Sequence, residues 1–198
     1  MPKKTTQSLI LASASLRRLE LLAQIGIEPG EVVAAEIDET PKKNELPGDL
    51  VCRLSATKVA AVEAAYPDSF VLGADTVVAR GRRILAKPGD VEEARRYLNL
   101  LSGARHRVVG GLCIRAPGGG LHARLVTTTV IFKRLEQSEI ERYLASGEWR
   151  DKAGAYAIQG RAAAFARKII GSYSNVVGLP LYETVGLLEG LGFRPAEE

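Results

Sequence analysis

Between residues 70 and 78 the chain reads Phe-Val-Leu-Gly-Ala-Asp-Thr-Val-Val. Apolar runs of this kind belong in the interior of a sheet. Asp75 interrupts it, and a carboxylate inside such a run is costly unless it is paired, ligated or needed for chemistry. Gly73 and Ala74 clear space beside it. The plainer reading is a turn aspartate ahead of a hairpin, since Asp is common in turns. No Gly or Asn stands with it in that turn, which weakens the plainer reading. The fold must therefore bury strands at 70–74 and 76–79 and still provide for one acid between them.

Around this run strands and helices alternate. Residues 8–12 read as a short buried strand. Apolar positions 16, 19, 22 and 25 recur at helical spacing and stop at Gly26. A second strand is expected at 31–35 and an alanine-rich helix at 49–65. A short strand follows at 83–86, then a helix at 90–101, where Asp90 and Glu93 have the spacing of a capping box. Residues 106–115 and 121–132 form a long hairpin with Gly118-Gly119-Gly120 at its tip. A helix at 137–145, a glycine-rich polar stretch at 147–160, a strand at 164–171 and a helix at 181–191 complete the chain. The expected class is α/β with mixed strand directions, and 198 residues suit one domain spanning 1–198.

Bulk properties narrow the function. Lys and Arg number 27 against 23 Asp and Glu, a mild net charge of +4. The basic residues are scattered, which argues against a nucleic-acid partner, while a mild positive excess suits a small polyphosphate. Cys52 and Cys113 form no CxxC pair and His106 and His122 stand apart, so the usual zinc spacing is absent. Two free thiols fit a reducing compartment. The apolar run at 9–12 is too short for a signal-peptide core, and no stretch approaches the roughly 20 residues of a membrane span. A cytoplasmic protein with no membrane partner is expected.

Several charged constellations accompany Asp75. In Ala12-Ser13-Ala14-Ser15-Leu16-Arg17-Arg18, two arginines occupy the first turn of a helix, where the dipole disfavours cations. A bound phosphate would reverse that sign; otherwise Ser15 caps the helix and the arginines face water. Arg17, next to the cap, is the better ligand candidate of the two. Glu36, Asp38 and Glu39 put three carboxylates in four residues, oxygen donors of the kind Mg²⁺ takes. Lys58 shares a helical stripe with Val51, Leu54, Ala61 and Ala65 and must snorkel out or meet an anion. Lys87 precedes a helix. In the 151–160 stretch glycines permit close backbone approach, and Gln159 has the donor and acceptor to read a base edge.

Taken together these segments resemble the Maf family of nucleotide pyrophosphatases. The resemblance rests on Leu11-Ala12-Ser13-Ala14-Ser15-Leu16-Arg17-Arg18, Gly73-Ala74-Asp75-Thr76-Val77-Val78, Lys87-Pro88, Leu101-Ser102-Gly103 with His106, Asp151-Lys152-Ala153-Gly154-Ala155-Tyr156 with Ile158-Gln159-Gly160, and Val177-Gly178-Leu179-Pro180. They run in the family's order over nearly the whole chain. Leu16 stands where many members have Pro, a change the first helical turn tolerates.

The resemblance implies a mixed twisted sheet with flanking helices, two lobes around a central cleft, and often a homodimer. It implies hydrolysis of a nucleoside triphosphate to the monophosphate and pyrophosphate with a divalent metal, Mg²⁺, Mn²⁺ or Co²⁺. Asp75 corresponds to the family's catalytic acid. Ser13, Arg17, Glu36, Lys58, Lys87 and Gln159 correspond to its active-site set, with Asp38 or Glu39 as alternatives to Glu36 in holding metal beside Asp75. Arg17, Thr76 and Gln159 occupy the positions that mark the subgroup acting on dTTP and UTP. Two rivals stand beside this reading: a nucleotide-binding regulator of cell division without turnover, and a plain phosphatase that would release orthophosphate first.

Overall fold

The computed structural model describes residues 7–194. Seven strands form one sheet: β1 (Leu9–Leu11), β2 (Glu31–Val32), β3 (Phe70–Arg80), β4 (Arg83–Leu85), β5 (Arg105–Arg115), β6 (Leu121–Phe132) and β7 (Ala166–Ile170). The strand order is β2-β1-β3-β5-β6-β7, with β4 paired to the far end of β3. β1 lies parallel to β2 and β3, while β3, β4, β5, β6 and β7 pair antiparallel. The sheet is mixed, as the alternating pattern implies.

Six helices flank it: α1 (Leu16–Gln24), α2 (Pro47–Val62), α3 (Val91–Leu101), α4 (Gln137–Ser146), α5 (Tyr173–Val177) and α6 (Leu181–Gly190). Asp90 caps α3 by accepting a hydrogen bond from the Glu93 amide, and α4 has a complete capping box at Glu136 and Glu139. Two expectations change. β3 is one continuous strand through Asp75, not two short ones, because its pairing with β5 runs without a break from Val71 to Ala79. α5 lies inside a stretch with no helical apolar period. Ser172 caps it, and Asn175, fully buried, donates to Val108 and Val126 carbonyls and to Thr128 Oγ1.

Of the packed cores along the long strands, the two largest frame the site. One gathers β1, α1, the start of β3, the end of β5 and α6 around Leu11, Leu22, Leu72 and Leu112. The other gathers α3, α4, the end of β3 and the 153–165 segment around Leu98, Phe132, Tyr143 and Tyr156. Asp75 falls where β3 passes from one to the other.

α2 crosses the sheet at very short range. A Cβ added to Gly73 would meet the Ser55 carbonyl oxygen at 2.5 Å, and one on Gly111, the partner of Asp75 across the β3–β5 ladder, would meet the Val51 carbonyl oxygen at 2.3 Å. Glycine at these two positions is what lets the helix lie this close. Its buried face includes Val51, Leu54, Lys58, Val59 and Val62; of the stripe read from the sequence, Ala61 and Ala65 are exposed. Among the described residues no helix is long and apolar enough to cross a membrane.

Candidate active site

A cavity of about 790 Å³ opens between the two cores. β3 supplies its floor with Asp75, Thr76, Val77 and Val78; the turn into α1 supplies Ser13, Arg17 and Arg18; α2 supplies Lys58. Lys87 stands at the end of β4, and Asp151 and Lys152 come from the 151–156 loop. Backbone strain sharpens that loop: Asp151 and Ala155 both have positive φ, at 55° and 62°. Gly154 packs against Val78 where any side chain would clash.

Asp75 is 7% exposed and Lys58 6%. The Lys58 ammonium donates to Asp75 Oδ1 at 2.7 Å and stands 2.7 Å from Glu39 Oε1. The buried acid is therefore paired with a cation inside the cleft, not turned to solvent. Burial pushes the Glu39 carboxyl up, but the Lys58 hydrogen bond and charge, with Lys87 and Arg18 beyond, outweigh it and hold Glu39 below the usual carboxylate range.

The turn before α1 carries a second network. Ser13 Oγ accepts from the Ser15 amide and from Arg18 Nη1. Arg18 Nε donates to the Gly178 carbonyl, and Thr76 Oγ1 donates to that same carbonyl at 3.3 Å. Ser15 makes no side-chain cap, so the first amides of α1 are left for another acceptor. Burial lowers the Arg17 pKa, and the charges of Asp151 and Glu20 partly restore it. Burial likewise lowers Lys152, helped by the positive charges of Arg17 and Lys87. Cations this crowded favour an anion among them.

Of the residues singled out by sequence, Ser13, Arg17, Lys58, Asp75, Thr76 and Lys87 line this cavity. Glu36 and Gln159 do not. Glu36 is exposed and borders a separate shallow groove against the end of α2, and the same acidic stretch reaches the cleft through Glu39 instead. Asp38 turns back to accept from the Thr40 amide. Gln159 is exposed, just beyond the buried Tyr156-Ala157-Ile158 segment. Arg18, which the sequence ranks below Arg17, and Lys152, to which it gives no role, also line the cleft. The crowding of cations around Ser13 and Asp151-Lys152 was the available signal.

Fold and cleft together define an α/β protein with a buried acid set among cations. The chain belongs to the Maf family: residues 8–191 match the family model described as Maf-like protein. It is 59% identical over 187 residues to a dTTP/UTP pyrophosphatase of Paramagnetospirillum magneticum, covering 94% of this chain and 98% of that one. It is 54% identical over 200 residues to a dTTP/UTP pyrophosphatase of Rhodospirillum rubrum, covering 100% and 95%. Among solved structures, a nucleoside-triphosphatase / dITP/XTP pyrophosphatase from Mycobacterium abscessus is similar over 65% of this chain and 76% of that one, at 15% identity and a TM-score of 0.42.

Proposed function

We propose that this chain hydrolyses a pyrimidine nucleoside triphosphate, dTTP or UTP or a modified relative, to the monophosphate and pyrophosphate. The observation that carries the reading is Asp75, buried and ion-paired in a cleft whose walls carry five cations, Arg17, Arg18, Lys58, Lys87 and Lys152, against two further acids, Glu39 and Asp151. The relatives' names point to the same substrates. A carboxylate repels phosphate, so an acid at the floor of a polyphosphate cleft is there for proton transfer or for a metal.

Water attacks the α-phosphorus in line with the departing pyrophosphate. Asp75 orients that water and takes its proton. Lys58 fixes the carboxylate through Oδ1, which leaves Oδ2 for the water. Arg17, Lys87 and Lys152 meet the negative charge that builds on the leaving group, since such transfers are accelerated mainly by positioning and charge.

Asp75 and Glu39 fit a divalent cation. They are hard oxygen donors already directed at one positive group, and Mg²⁺ is commonly held by one or two carboxylates plus substrate phosphates. When bound, the metal would neutralise phosphate charge.

The test is pyrophosphate release across all common triphosphates with Mg²⁺, Mn²⁺ or Co²⁺. Asp75→Asn is expected to abolish release while the protein still folds. Near-normal turnover in that variant would remove Asp75 from the mechanism. Orthophosphate as first product would make the enzyme a phosphatase, and binding without turnover would make it a regulator.

A further inference from the structure

Arg18 is 8% exposed, and all three of its hydrogen-bond partners are neutral. Nε donates to the Gly178 carbonyl at 2.9 Å, Nη1 to Ser13 Oγ at 2.9 Å, and Nη2 lies 3.5 Å from Thr76 Oγ1. Among the described residues, no carboxylate oxygen stands within 4.0 Å of the guanidinium. Burial pulls the Arg18 pKa down. The more distant Asp75 charge opposes this, Arg17 adds to the lowering, and Glu39 opposes it weakly.

A guanidinium in a protein does not escape burial by losing its proton. A buried charge without a counter-ion is unfavourable, and it persists where a ligand provides the opposite sign. Arg18 lines the cleft, and a guanidinium has five N–H donors, of which three are engaged. One donor on each terminal nitrogen is left, the fork geometry that grips two oxygens of a phosphate. Arg17 differs: it is half-buried and already has the charges of Asp151 and Glu20 nearby.

We propose that Arg18 is a further catalytic residue, directing its two remaining N–H donors at the α-phosphoryl oxygens, and that Ser13, Thr76 and the Gly178 carbonyl act on the substrate through Arg18. This rests on the pyrophosphatase reading. Thr76 bears directly on it. The hydroxyl has one proton, which goes to the Gly178 carbonyl, and its oxygen faces Arg18. No Thr76 donor is left for a base. The residue therefore sets the angle of the fork, and with it which nucleotide seats its α-phosphate correctly.

The experiment compares wild type, Arg18→Lys, Arg18→Met, Thr76→Val and the Arg18→Lys/Thr76→Val pair, with Mg²⁺ and dTTP or UTP. Lysine keeps the charge but lacks the fork, so kcat falls about a hundredfold or more with KM changed less than about fivefold. Thr76→Val lowers kcat about tenfold, and the pair is within about threefold of Arg18→Lys alone, because both changes remove one interaction. The monophosphate product, dTMP or UMP, keeps the α-phosphate; it raises the wild-type Tm, and Arg18→Met loses at least half of that shift. Should Arg18→Met not fold, Arg18→Lys with the same monophosphate gives the same reading.

Arg18→Lys with kcat within about threefold of wild type, or Arg18→Met with the full monophosphate shift, overturns the Arg18 assignment. Losses that multiply in the pair overturn the role given to Thr76. A wild-type enzyme that releases no pyrophosphate sinks the underlying reading as well. An active wild type with an indifferent Arg18→Lys sinks this inference alone.

Discussion

Lys58 stands between two carboxylates at 2.7 Å each, and the two contacts are unequal. Asp75 is buried with it, whereas the Glu39 side chain is 45% exposed. Removing one partner of a buried ion pair strands the other, at a cost of about 3–5 kcal/mol, while half-exposed pairs contribute about 1 kcal/mol or less. Lys58→Met should therefore lower unfolding free energy by about 3 kcal/mol in a urea titration, and Glu39→Gln by less than about 1. Activity should rank differently. If Glu39 holds a metal with Asp75 as proposed, Glu39→Gln is expected to cost about tenfold or more in pyrophosphate release. Glu36→Gln, whose carboxylate is outside the cleft, should stay within about twofold. Equal losses from both would show that the acidic stretch acts as a diffuse charge and not through Glu39.

At the scale of elements, the site depends on how α2 rests on β3 and β5. The Gly111 position has backbone on its far side, the Val51 carbonyl, which retreats only if the helix moves. Gly111→Ala should destabilise by about 3 kcal/mol, the upper end for overpacking, and lower kcat by displacing Lys58 from Asp75. Gly186, inside α6, has nothing within 4 Å of an added Cβ and no positive φ. Gly186→Ala should stabilise by about 0.5–1 kcal/mol, read as a higher urea midpoint with activity unchanged. These elements were largely legible beforehand. β3 is visible as an apolar run and α2 by its helical stripe, and Gly73 reads as clearing space beside Asp75, although what fills that space is the backbone of α2. Their contact was not legible, because no local pattern says which helix covers which strand. Nor was α5, five residues held in place by the buried Asn175. The choice among Glu36, Asp38 and Glu39 turned on the path of an irregular loop, where neighbouring side chains face different directions and no period assigns them.

The whole molecule couples its cleft to the second core through one buried pair. His106 Nε2 meets the Tyr156 hydroxyl at 2.8 Å, with Phe132 edge-on to both rings. Tyr156 lines the cleft at the end of the loop that carries Asp151 and Lys152, so this bond ties the loop to β5. Burial, aided by the Arg80 charge, pushes His106 down to about 4 from its ordinary 6.5. Between those values the unfolded chain binds a proton that the folded one refuses, so stability rises with pH there. It is fully present above about 6.5, falls as the pH drops toward 4, and stops falling on this account below 4. At about 1.4 kcal/mol per unit, the whole window is worth roughly 3 kcal/mol. Carboxylates held low by their partners, Glu45 at about 2 among them, also weaken the fold in acid. The wild type must therefore be compared with His106→Gln, which keeps a polar group near Tyr156 and cannot titrate. Urea midpoints at half-unit steps from pH 4 to 8 should converge for the two proteins as the pH falls through the window, with wild type ahead at neutrality. Curves that stay parallel from 6.5 to 4 would mean that the imidazole is already accessible to protons in the folded state.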